Sequence, residues 1–526
     1  LSRYIVAGSK DGLVPDLDEA MKADRPLDII NGPLMAGMSE VGRLFNDNKL
    51  IVAEVLQSAE AMKAAVSHLE PFMEKDETAH HGTMLLATVK GDVHDIGKNL
   101  VDIIFTNNGY KVVNLGIKCP PETLISACKQ HRPDLIGLSG LLVKSAQQMV
   151  VTAEDLKAAG VGVPMLVGGA ALSREFTHRK IAPTYGNLVA YANDAMSGLD
   201  LANRILDPNE RGNLEASLAA HTASLGPAVV KSVPVAVPAV RSSRVRIDLP
   251  KPSVPDLQRH VLQSLNLDEV WSFLNPQMLY GKHLGLRGNA RRLLEAKDPK
   301  AVELHAVMEE LMAECRAGGM HARALWQFFA ATGEGNQLTL YRPDGAIAEQ
   351  FDLPRQGKAD GLSLPDFVLP AEPVADGSGR DHVALFVTTA GEGIRERAEW
   401  YRKEGQYVKS HGLQALALET AEAAAEWMHA KLRALWGFPD PLDMTMVQRF
   451  QAKYRGKRYS FGYPACPNLE HQAELFRLLK PEEIGVTLTE GFMMEPEASV
   501  SALAFHHPDA AYFAVTGEME SVAENQ

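Results

Sequence analysis

The loop Gly91-Asp92-Val93-His94-Asp95-Ile96-Gly97-Lys98 carries the residues best suited to chemistry. A histidine there can offer one ring nitrogen to a metal while a carboxylate two residues away, Asp92, holds the other and tunes its basicity. Gly97 leaves room for a bulky group to approach the backbone. Ser139-Gly140-Leu141 and Gly168-Gly169 follow further along the chain, each at the end of an apolar run. Ser145, in Val143-Lys144-Ser145, reads by itself as a helix N-cap. Far downstream, Tyr454 to Pro467 forms a long Gly-, aromatic- and Arg-rich segment around Arg458. Taken by itself, the stretch reads as a tight turn with a surface arginine.

These residues need a scaffold that brings strand ends together. From Thr83 onward, short aliphatic runs (Met84–Val89, Val112-Val113, Leu135–Leu138, Met165–Val167 and Leu188–Ala190) alternate with amphipathic stretches. That alternation predicts βαβ units and a parallel sheet covered on both faces. In such sheets ligands bind at the carboxyl ends of the strands, where all three polar segments fall. Before it, Val41, Leu44, Phe45, Val52, Val55, Leu56 and Ala59 recur with helical spacing and predict a small bundle. After it, residues 207–255 gather Pro234, Pro238, Pro250, Pro252 and Pro255 among Ser, Ala and basic residues, and read as a linker. Residues 256–526 mix helical stretches such as 420–435 with strand-like runs such as 337–341 and 383–388 and predict an α+β domain.

Composition narrows the function class. At roughly 150 residues per domain, a 526-residue chain suggests three or four domains. The net charge of −13 argues against a nucleic-acid footprint. Four cysteines with no CxxC pair fit a reducing cytoplasm. Neither a long apolar run nor a signal segment marks a membrane or export route. The start at Leu1 suggests a fragment or processed product of a longer protein.

The ordered set DxHxxG, SxL and GG resembles the signature of base-off cobalamin domains. The resemblance implies that His94 replaces the cofactor's own base as lower cobalt ligand, that Asp92 and Ser145 form its hydrogen-bond relay, and that Gly97, Ser139, Leu141, Gly168 and Gly169 line the channel for the displaced nucleotide tail. The preceding bundle, through Leu44–Val55 and His68–Phe72, resembles the cap domain of cobalamin-dependent methionine synthases; Phe45, Val52 and Val55 then match positions over the cofactor's upper face, although apolar residues at such spacing are ordinarily bundle core. Tyr454–Pro467 resembles the S-adenosylmethionine motif of that family's activation domain. Arg458 would pair the ligand's carboxylate, with Ser460 and Tyr463 in the same loop. Glu422 matches an acidic contact, and otherwise reads as a solvated helical glutamate. Glu269 stands where the family has an aspartate for the ligand's amino group and is otherwise a surface residue, while Ala452 replaces an expected acid. Ala498–Ser501 and His507–Phe513 continue the likeness.

The expected architecture is therefore a helical cap (1–78), a flavodoxin-like doubly wound α/β sheet that binds cobalamin (79–206), a linker (207–255) and an α+β activation domain (256–526). The resemblance implies a cytoplasmic methyltransferase in which cobalamin, as methylcobalamin, carries a methyl group from methyltetrahydrofolate to homocysteine. S-adenosylmethionine and an electron from a flavodoxin-like or flavoprotein reductase donor would reactivate the cofactor. The homocysteine and folate domains, and the zinc of the former, lie N-terminal in the family. A corrinoid carrier for another methyltransferase would lack the Arg458 motif; an adenosylcobalamin isomerase subunit would not need the cap; a cobalamin-binding sensor of many kinds would carry a DNA-binding pattern.

Overall fold

A computed structural model describes residues 1–73, 81–141, 143–170, 172–225, 240–372 and 379–515. They form two compact units. The first comprises Leu1–Val229 with Pro276–Glu314 and Gly393–Leu416, and the second Val230–Asn275, Cys315–Glu392 and Ala417–Gln526.

In the first unit, helices Ser2–Ala7, Leu13–Ala20, Met35–Asn46 and Val52–Leu69 make up most of the bundle. Five strands follow: β1 (Gly82–Thr88), β2 (Tyr110–Asn114), β3 (Leu135–Ser139), β4 (Met165–Gly168) and β5 (Val189–Tyr191). All pair in parallel in the order β2-β1-β3-β4-β5, the doubly wound flavodoxin-like arrangement. Alternation along each strand decides which face a residue serves. Met84, Leu86, Leu166 and Ala190 join one core with Met196 and Leu199 and with Ile5, Leu17, Met38 and Val55 of the bundle. Leu85, Ala87, Ile136, Leu138, Val167 and Val189 build the other core against Leu124, Met149, Ala153 and Leu156. One apolar core thus runs unbroken from the bundle into the sheet.

The linker expectation needs correction. Pro208–Ser224 is a helix, started by the Asp207 side chain accepting from Asn209 N at 2.8 Å and by proline at its first position, and anchored by buried Leu214. Further on, Arg241 donates to the carbonyls of Asp366 (2.6 Å) and Val368 (2.7 Å), and Ser242 is buried, so residues 241–246 belong to the second unit's packing. Pro234 and Pro238 lie outside the described residues. The stretch 256–526 is also not one compact body. Pro276–Glu314 and Gly393–Leu416 group with the first unit because Tyr407, Val408 and Val307 close a small core with Leu56, Ala59 and Ile103.

In the second unit the strands are β6 (Arg259–Leu262), β7 (Arg323–Glu334), β8 (Gln337–Tyr341), β9 (Ile347–Asp352), β10 (Asp381–Thr389), β11 (Lys457–Tyr459), β12 (Thr487–Leu488), β13 (Met494–Glu495) and β14 (Ser499–Phe505). The main sheet runs β11-β14-β10-β7-β8-β9, with β6 also on β7; every pair is antiparallel, and β12 and β13 pair separately. Helix Tyr407–Leu435 supplies its residues from Ala417 onward to this unit, where Thr388 Oγ1 on β10 donates to the Ala421 carbonyl. All four cysteines are buried, and none is in a disulfide. Among the described residues no helix is long and apolar enough to cross a membrane.

Candidate cobalamin and ligand sites

In the first unit, β1 ends at Thr88 and Gly91 turns the chain with φ 77°, a conformation that favours glycine. The turn drops Asp92 into full burial below the ends of β1 and β3. Its carboxylate is saturated. Oδ1 accepts from His94 N (2.9 Å) and His94 Nδ1 (2.6 Å), and Oδ2 accepts from Leu141 N (2.8 Å) and Ser145 Oγ (2.5 Å). Burial opposes its ionisation, but the hydrogen bonds from His94 and Ser145 outweigh that and hold the carboxyl below the usual aspartate range. The Ser145 hydroxyl therefore serves Asp92 and does not cap the helix Val143–Ala158. His94 keeps 18% of its side-chain surface exposed.

The glycines have separate tasks. A Cβ on Gly169 (φ 146°) would fall 1.7 Å from the Gly140 carbonyl oxygen, and one on Gly140 would fall 2.6 Å from Ser145 Cβ and 3.2 Å from Asp92 Oδ2. Both let strand ends close on the Asp92 relay. A Cβ on Gly168 would sit 3.1 Å from the Ala192 carbonyl oxygen. Gly97 has open space on its Cβ side. Ser139 is partly buried and its carbonyl accepts from Val89 N (3.1 Å). Leu141 contributes its backbone N–H to Asp92, while its side chain stays exposed. Gly140 is a requirement that the sequence reading passed over; its position inside the SxL triplet was the available signal.

This arrangement fits a corrin-borne cobalt. With Asp92 ionised and accepting from Nδ1, the lone pair of His94 lies on Nε2, the nitrogen through which a neutral imidazole binds metal. Among the described residues no group of three or more His, Cys, Asp or Glu side chains could hold a metal, so this loop offers a metal one imidazole, with open space over Gly97 beside it. The expected cap residues are placed differently. Val55 is fully buried within the bundle core and Phe45 packs against it, while Val52 lies on the small core of Leu56, Ala59 and Ile103. Val55 is a core residue, whereas Phe45 and Val52 remain partly exposed.

In the second unit, Arg458 on β11 meets two acids from helix Tyr407–Leu435. Its Nη2 lies 3.6 Å from Glu422 Oε2 and 3.5 Å from Glu426 Oε2. Tyr454 donates its hydroxyl to Glu426 Oε2 at 3.1 Å. Arg458 Nε and Glu426 Oε1 are both buried with no hydrogen-bond partner among the described residues, so a partly buried cation and a buried anion remain incompletely satisfied. Tyr463 is 42% exposed, and the electrostatic influence of Glu422 and Arg458 reaches its hydroxyl. The other two expected contacts are engaged elsewhere: Ser460 Oγ donates to the Ser501 carbonyl (2.7 Å), and exposed Glu269 accepts from Trp427 Nε1 (2.7 Å). Ala452 takes a left-handed conformation (φ 50°) after the helix Met446–Phe450. Glu426, held by Tyr454, was missed as a partner of Arg458, although Glu422 and Glu426 stand at helical i, i+4 spacing.

Comparison with known proteins is consistent along the chain. B12 binding domain models match residues 1–70 and 82–199, and the model of the vitamin B12 dependent methionine synthase activation domain matches residues 266–524. The methionine synthases of Mycobacterium tuberculosis and Mycobacterium leprae are 37% and 36% identical over 98% of this chain, which spans 46% of the length of each. A solved MetH reactivation domain bound to AdoHcy aligns with a TM-score of 0.46 at 24% identity, over 53% of this chain and 88% of its own. With three consecutive family models and this identity along nearly its whole length, the chain belongs to the cobalamin-dependent methionine synthase family.

Proposed function

We propose that this chain binds cobalamin through His94 and S-adenosylmethionine around Arg458, and serves the methyl transfer from methyltetrahydrofolate to homocysteine that yields methionine. The observation that carries the first part is the Asp92–His94 pair: a fully buried carboxylate with four donors, 2.6 Å from a partly exposed imidazole. Cobalamin, when bound, supplies a cobalt centre that accepts and releases a methyl group. The chain's own residues prepare for it. Asp92 holds the proton on Nδ1, Ser145 and Leu141 N fix Asp92, and Gly97 leaves space for a bulky neighbour.

In the second unit, the Arg458 guanidinium suits a ligand carboxylate, and half-exposed Glu422 suits a ligand's cationic groups. In this reading residues 1–78 act as the cap, 79–206 as the cobalamin module, and the match over 266–524 supports a reactivation role. A flavodoxin-like or flavoprotein donor supplies the electron, homocysteine and folate domains of the same enzyme present the substrates, and the setting is the cytoplasm.

The test is spectroscopic. Methylcobalamin added to the chain should give a His-ligated spectrum, and His94→Gly should shift it to the base-off form, because no neighbouring side chain replaces the imidazole. An unchanged spectrum in His94→Gly removes His94 from this role.

A further inference from the structure

Glu422 and Glu426 approach the same nitrogen of Arg458 at nearly equal distances, 3.6 and 3.5 Å, yet they are not equivalent. Glu422 is 51% exposed, whereas Glu426 is nine-tenths buried and tied to the Tyr454 hydroxyl at 3.1 Å. Glu426 also lies 3.8 Å from Arg433 Nη2, an arginine held more closely by Asp440, which in turn accepts from Arg449 Nε at 3.1 Å. Asp440 takes Arg433 Nε at 2.6 Å and Arg433 Nη2 at 2.7 Å, and the Arg433 guanidinium stacks 3.8 Å over the Tyr454 ring. Glu426 thus faces both arginines, Arg458 being the nearer at 3.5 Å. Even so the pair does not close, since Glu426 Oε1 and Arg458 Nε both lack hydrogen-bond partners among the described residues.

We propose that Glu426 is a positioning residue: fixed by Tyr454, it holds the Arg458 guanidinium short of a closed ion pair with Glu422, so that one cation and one anion both remain available to an amino-acid-bearing ligand. This rests on the reading of Arg458 as the S-adenosylmethionine site. Without the charge of Glu426, Glu422 becomes the one acid among the described residues within ion-pair distance of Arg458. The two then pair and occupy each other, because a partly buried arginine seeks its nearest carboxylate. Opening that pair becomes a cost for any ligand that needs both groups, and no cost for a ligand that needs neither.

The experiment measures calorimetric affinities of the full chain for S-adenosylhomocysteine and for 5′-methylthioadenosine, which shares the nucleoside and thioether but lacks the amino-acid group. Glu426→Gln keeps the shape and an acceptor for Tyr454. It should weaken S-adenosylhomocysteine about ten-fold and leave 5′-methylthioadenosine unchanged. Glu426→Asp should restore part of the loss, and in a Glu422→Gln background the effect of Glu426→Gln should vanish, since the competing acid is gone. If Glu426→Gln does not fold, Tyr454→Phe, which frees Glu426, should lower the same affinity ratio by a smaller factor. A ratio that is unchanged or raised, or an equal loss for both ligands, overturns the positioning role while wild-type binding still supports the site. A wild-type chain that binds no S-adenosylhomocysteine overturns the site and the inference together.

Discussion

The same pair of residue types occurs in each unit with opposite settings. In the first, Asp92 and His94 lie 2.6 Å apart; in the second, Asp381 and His506 lie 2.7 Å apart, and both aspartates are fully buried. The histidines differ. His94 keeps 18% of its side chain exposed and His506 1%. Asp381 also accepts from Leu369 N (2.7 Å) and His382 N (2.8 Å), so it ties sheet to loop. A buried His–Asp pair is thus no sign of function by itself. What separates the two is the exposure of the ring: His94 reaches the surface, whereas His506 is sealed in the core.

That contrast can be broken most forcefully at the sealed pair. Asp381→Ala leaves a buried histidine and two backbone donors uncompensated and should cost about 3–5 kcal/mol in urea unfolding. A loss under about 1 kcal/mol would mean that the sealed pair is not structural. Gly140→Ala comes next. It keeps every member of the open relay but drives a methyl group against Ser145 and Asp92. It should cost about 1–3 kcal/mol and weaken the His-ligated spectrum of bound methylcobalamin; full stability with a wild-type spectrum would show that the relay tolerates displacement.

The smallest effect is on pH. Because the folded carboxyl of Asp92 is held below its ordinary value, its stabilisation is fully present above the unfolded value of about 4 and is lost as pH falls through the lower folded value. Asp92→Asn should remove that part of the acid-unfolding limb and move its midpoint by less than about one pH unit. A limb identical to wild type would show that Asp92 is not stabilised as an anion.

Much of the first unit was legible in sequence because its signals are local. Aliphatic runs marked all five strands, and Asp92 and His94 are two residues apart. Helix Pro208–Ser224 was hidden: only Leu214 is buried along it, so it lacks an apolar stripe, and the prolines that follow suggested a linker. The partnership of Ser145 with Asp92 spans 53 residues and was legible only through resemblance. Asp381 and His506 are 125 residues apart and gave no local signal at all. In the second unit, the Arg458 motif was visible, but the loss of Ser460 to Ser501 depends on tertiary packing that no spacing encodes.

The interleaving of the two units has a consequence for synthesis. The small core of Leu56, Ala59 and Ile103 is completed by Val307, Tyr407 and Val408, which leave the ribosome long after the sheet strands have been made. At roughly 5–20 residues per second, the roughly 190 residues from Val229 to Leu416 take about 10–40 s. Throughout that interval the nascent first unit carries an uncovered apolar flank on helices Val52–Leu69 and Ile96–Asn107. Chaperone capture during translation should therefore concentrate on that flank, and ribosome-stalled chains ending before residue 400 should be cleaved there by protease while chains stalled well beyond residue 416 are protected.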